Sequence, residues 1–149
     1  MKGTILYAKY DEGTGVSTVT KQTKYGTFTR SVRVHPQDED IANQYDGCYF
    51  AELKCDIAAY KERAKFMQER AKGILHAYNV LSRADLQAGI DSEEIWDLVK
   101  RQADIAKNIA DQTYETYKIL KDSYGALIEA TLRQRRKMRE HIKKKHQID

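Results

Sequence analysis

The stretch FAELKCDIAAYKERAKFMQERAKGILHAYNVL, residues 50–81, decides how this chain folds. Its apolar or small positions Phe50, Leu53, Ile57, Tyr60, Ala64, Met67, Ala71, Ile74, Tyr78 and Leu81 succeed one another at alternating intervals of three and four. Side chains so spaced fall on one stripe of an α-helix, and the seven-residue period predicts a long helix with a coiled-coil-like seam. The positions beside the seam include Lys54, Lys61, Arg63 and Arg70, so it suits a neighbour edged with acids. Gly73 falls on the outer side at a cost of roughly 1 kcal/mol against alanine, and nothing in the pattern explains it.

Asp46, ahead of Gly47, is placed to cap the start of this helix, and residues 82–89 are expected to form the connection after it. A second helix then opens on a fuller signal. Asp91 is the expected N-cap, Glu94 completes a capping box, and Ile90 with Ile95 forms a hydrophobic staple. The chain has no proline beyond Pro36, so this helix is expected to run to about residue 145, roughly 80 Å. Ile95, Val99, Ala106, Ile109, Tyr117, Leu120, Tyr124, Leu127 and Met138 lie near one line along it. Leu98, Ala103, Ile105, Ala110, Tyr114 and Ile128 widen that line to about half the circumference. A stripe this wide calls for more than one neighbour. The first helix supplies one as an antiparallel partner, and the sheet or a second subunit supplies the other. Two acidic rows, Asp97, Asp104, Asp111 and Glu115, Asp122, Glu129, read as the solvated back, or as a counterpart for Lys61 and Arg63 of another subunit.

Upstream, residues 3–34 alternate as strands do. Ile5 and Tyr7 are expected on one face and Leu6, Ala8 and Tyr10 on the other. Asp11-Glu12-Gly13-Thr14-Gly15 is a turn cluster, residues 16–23 a Thr-rich second strand, and Tyr25-Gly26 a second reversal. In the third strand Phe28, Val32 and Val34 share a face opposite Thr27, Thr29, Ser31 and Arg33. So small a sheet leans on helices for stability. His35-Pro36 ends it, and Asp38, Glu39 and Asp40 suit the start of a short helical turn. The expected fold is therefore α+β and mainly α. Residues 1–46 form a small three-stranded antiparallel sheet with a helical turn, and residues 47–149 form a long antiparallel helical hairpin as one folding unit.

Charge is concentrated at one end. The chain carries +4 overall, yet residues 132–146 hold eight cations, Arg133, Arg135, Arg136, Lys137, Arg139, Lys143, Lys144 and Lys145, against the single acid Glu140. That local excess of +7 leaves the remainder at −3. If the second helix draws level with Gly47 at about Tyr124, roughly 20 residues run on beyond it, with Gly125 as a possible bend. A few cations near a helix C-terminus complement its dipole, but eight in fifteen residues exceed that need. Lys and Arg along a helix track phosphates, and with no aromatic residue in the tail the contact is with backbone and not with unstacked bases. A solvated tail is the alternative. An amphipathic membrane-surface helix is poorly supported, since Leu132, Met138 and Ile142 make only a thin apolar face.

Enzymatic signatures are absent from the pattern. His35, His76, His141 and His146 are scattered, Gly13-Thr14-Gly15 lacks the Lys-Ser/Thr of a phosphate loop, and Asp38, Glu39 and Asp40 lack the glycine-spaced frame of a calcium loop. No metal, cofactor or catalytic residue is therefore expected. Cys48 and Cys55 lie seven positions apart on one helix, about 10 Å, beyond the roughly 7 Å that a disulfide spans. With no membrane-spanning run, a reduced cytoplasmic protein is expected.

The run Asp38-Glu39-Asp40-Ile41-Ala42-Asn43, with Asp46-Gly47-Cys48 and Ala51-Glu52-Leu53-Lys54-Cys55 behind a Thr-rich sheet, resembles small accessory proteins of bacteriophages and prophages of Gram-positive bacteria. The resemblance covers about residues 27–75 and implies a non-enzymatic binding protein. Such proteins include inhibitors of host-defence complexes such as CRISPR nucleases, although a positive tail departs from the acidic, DNA-mimicking kind. The expected function is binding to nucleic acid, or to an acidic surface of a nucleoprotein complex, through the eight tail cations. A homodimer or higher homo-oligomer is the expected form. A structural coiled-coil assembly protein without nucleic-acid contact is the alternative.

Overall fold

The computed structural model describes residues 1–33, 44–88 and 93–148. Three strands precede two long helices: β1 Gly3–Asp11, β2 Val16–Thr23, β3 Gly26–Arg33, α1 Gln44–Ala88 and α2 Glu93–Ile148. The fold is α+β and mainly α, as the two periodicities require. Val34, His35-Pro36, the acidic residues 38–40 with their expected turn, and the Ile90 and Asp91 start signal lie outside the described residues.

The sheet is an antiparallel meander in the order β1-β2-β3. Asp11 builds the first turn by accepting the Gly13 N–H on Oδ1 at 2.9 Å and the Gly15 N–H on its carbonyl at 2.8 Å. Gly15 has φ 70°, a conformation glycine adopts without penalty. In the second turn the Thr23 hydroxyl accepts the Tyr25 N–H and donates to the Gly26 carbonyl.

One expectation about β1 is corrected. The register slips between Ile5 and Tyr7, so Leu6 is a bulge and the strand changes face there. Ile5, Ala8 and Tyr10 stand across from Lys21, Val19 and Ser17 on the helix side, while Tyr7 and Lys9 stand across from Thr20 and Thr18 on the outer side. Simple alternation misses a bulge because the extra residue leaves no mark in composition.

The chain divides into two compact units, Met1–Ala59 with Lys118–Asp149, and Tyr60–Tyr117. In the first, α1 lies on β2 and β3. Val19, Ala51 and Cys55 form the buried centre, with Phe28, Val32 and Cys48 packed around it. Phe28 and Val32 thus share the inward face, as their spacing indicates. Close approach is enforced at Gly47, where a Cβ would overlap the Ser17 hydroxyl. Lys21 is 4% exposed, and its three N–H donors are all used, by the Met1 carbonyl at 2.7 Å, Asp56 Oδ1 at 2.8 Å and Glu52 Oε1 at 2.9 Å. The Met1 amino group adds a 3.2 Å contact to Asp56. Burial alone lowers the Lys21 pKa, but the hydrogen bonds and charges of Asp56 and Glu52 overcome it and leave the ammonium held above its ordinary value.

In the second unit the two helices form an antiparallel hairpin, with Tyr78 edge-on to Trp96 at 5.3 Å between centroids. Its buried residues are nearly all alanine, Ala64 and Ala71 on α1 and Ala103, Ala106 and Ala110 on α2, with Thr113 donating its hydroxyl to the Ile109 carbonyl. The seam residues from Phe50 to Tyr78 are buried or half-buried, whereas Leu81 is exposed. The wide stripe of α2 is filled on one side only, since Leu98 and Ile105 remain exposed. The expected connection at residues 82–89 is also corrected. α1 continues through Ala88 because Ser82 to Ala88 contains no Gly or Pro and several strong helix formers.

Candidate nucleic-acid interface

The second half of α2 is helical for a plain reason. From Leu120 to Ile142 it is rich in Leu, Ala, Lys, Arg, Glu and Met, and the one glycine, Gly125, is crossed without a break in the helix. A Cβ at Gly125 would meet open space, so no close contact demands the glycine.

Three contacts dock this segment in the first unit. Leu132 is buried. Tyr124 directs its hydroxyl at the Phe50 carbonyl, 3.4 Å away, and its ring lies under Lys54 Nζ at 5.9 Å from the centroid. Arg135 forks onto Asp46, Nη2 to Oδ1 at 3.0 Å and Nε to Oδ2 at 3.2 Å. Burial raises the Tyr124 pKa to about 12, and the Asp46 hydrogen bond and charge raise that of Arg135.

Two expectations change. Asp46 lies in the first turn of a helix that begins at Gln44, and its carboxylate serves α2 as well as the positive end of α1. Tyr124 meets Phe50, about one turn beyond Gly47, but α2 still has a docking contact at Arg135, so less of it runs on unsupported than the expected 20 residues or so. The fork fixes this register, and no sequence spacing specifies it.

Of the eight expected site residues, the fold therefore sets one apart. Arg135 is a docking residue, its fork closed on a carboxylate only 7% exposed. Arg139 is half-buried and Arg136 exposed, and both take part in interactions of their own. Arg133, Lys137, Lys143, Lys144 and Lys145 are exposed, and every residue from 140 to 146 is exposed around the whole helix. At 100° per residue Arg133, Lys137 and Lys144 fall along one flank and Arg136 and Lys143 along another, with Glu140 between them. A helix bearing cations on two flanks and projecting past its support can lie along a phosphate backbone, each engaged phosphate releasing a counterion. Asp46, the partner that removes Arg135 from the set, was visible in the sequence only as a capping residue.

Among the described residues, no three His, Cys, Asp or Glu side chains are grouped to hold a metal ion, and no helix is long and apolar enough to cross a membrane. The chain matches no protein-family model, no curated protein and no solved structure.

Proposed function

We propose that this chain is a non-enzymatic, phage-type accessory protein of the cytoplasm that engages nucleic acid, or a nucleoprotein complex such as a CRISPR defence nuclease, through the projecting end of α2. The observation that carries the reading is the exposure of Arg133, Lys137, Lys143, Lys144 and Lys145 on a helix whose neighbouring Leu132 and Arg135 are committed to docking. Anchoring by Leu132 and Arg135 holds the segment in place, so its cations meet a polyanion with less ordering cost than a loose tail incurs.

The test is fluorescence anisotropy with duplex and single-stranded oligonucleotides at two salt concentrations. It compares the full chain with a variant in which those five cations are replaced by Gln. If all five meet phosphates, log Kd against log salt flattens by about 4 to 5 units on a duplex. Equal binding by both proteins, or none by either, removes the reading. Substitution is preferable to truncation after Ala130, which would also delete Leu132 and the Arg135 fork.

A second reading, assembly without nucleic-acid contact, is favoured by one observation. The Tyr60–Tyr117 hairpin buries chiefly alanine while Phe66, Val80, Leu98 and Ile105 stay more than half exposed. Side chains of that size on a two-helix hairpin are usual where another surface covers them.

A further inference from the structure

The sheet has two edges, and they differ. At β3 the side chains Thr18 with Ser31, and Thr20 with Thr29, meet at 2.8 Å between hydroxyl oxygens. Such close side chains mark the non-hydrogen-bonded pairs of an antiparallel ladder, so Thr29 and Ser31 turn their backbone groups outward. Those outward carbonyls are occupied, Thr29 O by the Arg30 guanidinium at 2.9 Å and Ser31 O by Lys54 Nζ at 3.2 Å. Cationic cover of this kind blunts an edge against further pairing.

At β1 nothing similar is seen among the described residues, and the strand is exposed and apolar in its middle. Ile5, Leu6 and Tyr7 are 42%, 55% and 48% exposed. The same ladder phase carried across β2 makes Thr20 with Tyr7 and Thr18 with Lys9 hydrogen-bonded pairs, so Ala8 and Tyr10 turn their backbone groups outward. Before the bulge, Gly3 and Ile5 do so. The bulge therefore changes the parity of the edge in mid-strand. Outward positions 3, 5, 8 and 10 pair with their own copies, Gly3 with Tyr10 and Ile5 with Ala8, when two β1 strands run antiparallel about a twofold axis between Leu6 and Tyr7.

In that register Lys2 stands opposite Asp11, Thr4 opposite Lys9, and Leu6 opposite Tyr7. The bulge puts Thr4, Tyr7, Lys9 and Asp11 on the outer side of the sheet, with Lys2 two residues before Thr4 in the same phase. Both ends of the joint thus carry a Lys–Asp pair on one side, in the pairs where side chains approach most closely. Without the bulge, residues 2 and 11 would face opposite sides.

We propose that β1 is a self-complementary edge on which a second copy of this chain adds its own β1, giving a continuous six-stranded sheet. Because both outer edges would then be β3, each covered by Arg30 and Lys54, the assembly closes at two. This interface is separate from the basic end of α2 and does not depend on what that helix binds.

Sedimentation velocity over a dilution series of the full chain tests it. Wild type is expected to interconvert between monomer and dimer. Lys2→Glu, which places two carboxylates together at each end, weakens the dimer about tenfold. Asp11→Asn, which keeps the Oδ1 acceptor for the Gly13 N–H, weakens it in the same direction. In a Cys48→Ser background, Thr4→Cys with Lys9→Cys gives a disulfide-linked dimer on mild oxidation. The two positions lie roughly 16 Å apart within one strand and cannot join there. A monomer at every concentration overturns the proposal. So does a dimer that ignores Lys2→Glu and dissolves on Leu98→Glu, or a ladder of larger disulfide-linked species.

Discussion

Asp46 and Arg135, 89 positions apart in the chain, meet in a two-pronged ion pair that joins the first turn of α1 to the basic end of α2. The pair couples what holds the fold to what is exposed for binding. A guanidinium fork matched to a carboxylate fixes direction as well as distance, so α2 is held in both position and rotation here.

Arg135→Ala and Asp46→Ala are each expected to lower the melting temperature. The double variant should lose less than the sum, since either change alone already breaks the fork. Arg135→Lys should recover only part of the loss, because an ammonium cannot fork. If Arg135→Ala weakens oligonucleotide binding no more than melting accounts for, while Lys137→Ala weakens binding without altering melting, the division between docking and contacting cations stands. The opposite pattern would return Arg135 to the contact surface.

Gly47 and Ser17 form a matched pair of small residues at the helix–sheet contact, and the buried Ser17 hydroxyl has no hydrogen-bond partner among the described residues. Gly47→Ala is expected to cost about 1–3 kcal/mol through overpacking. Ser17→Ala should be neutral or mildly stabilising, since it removes an unsatisfied buried group. Ser17→Gly should recover much of the Gly47→Ala loss. Urea denaturation of the single and double variants reads all three, and simple additivity would show that the two residues do not meet.

Much of this architecture is legible in the sequence, and the exceptions share a cause. The three-four spacing from Phe50 to Tyr78 and the face shared by Phe28 and Val32 are periodic signals, carried by every residue of an element. The Leu6 bulge, the level at which Asp46 meets Arg135, and the use of Lys21 as a buried three-way donor depend on partners distant in sequence. Lys21 looks like an ordinary polar residue in a Thr-rich strand until Glu52 and Asp56 are placed over it. The candidate site shows the same division. Its charge is plain from residues 133–145, while the withdrawal of Arg135 comes only from tertiary contact.

Lys21 sets an alkaline limit on stability. Its folded pKa is raised, so the ammonium binds its proton more tightly folded than unfolded. Its contribution is complete below the unfolded value near 10.4 and is lost as pH rises through the folded value. Melting temperature is expected to fall from about pH 10 upward, and Lys21→Met should fall less steeply over that range. At neutral pH the same variant is expected to cost about 1–3 kcal/mol, because it removes the ammonium from Glu52 and leaves Asp56 only its contact with the Met1 amino group. A wild-type profile parallel to that of Lys21→Met between pH 9 and 11 would refute the assignment.

Tyr124 gives an optical reading of the α1–α2 contact in the same range. Burial pushes its phenol up to about 12, above the ordinary value near 10. The raised value means that stability falls as pH climbs from about 10 toward 12. Ultraviolet titration should show one late phenolate transition that vanishes in Tyr124→Phe. The hydrogen bond to Phe50 is long, so that substitution should cost under about 1 kcal/mol. Disappearance of the late transition in Arg135→Ala would show that the fork keeps the ring covered.

The two cysteines offer the most direct probe of the helix–sheet contact. Cys55 is fully buried, its thiol 3.4 Å from the Phe28 carbonyl and 3.6 Å from that of Val19, and burial raises its pKa. Cys48, two turns earlier, is half-buried. Since the thiolate is the reactive form, Cys55 should resist alkylation in the native protein while Cys48 reacts. Mass spectrometry after a short alkylation pulse is expected to find one modified thiol, at Cys48, and two only in denaturant. Modification of Cys55 in proportion to transient opening would report the free energy by which α1 leaves the sheet. Gly47→Ala should speed that reaction without changing the Cys48 rate, whereas equal rates at both thiols in the wild-type chain would mean that the helix does not close over β2.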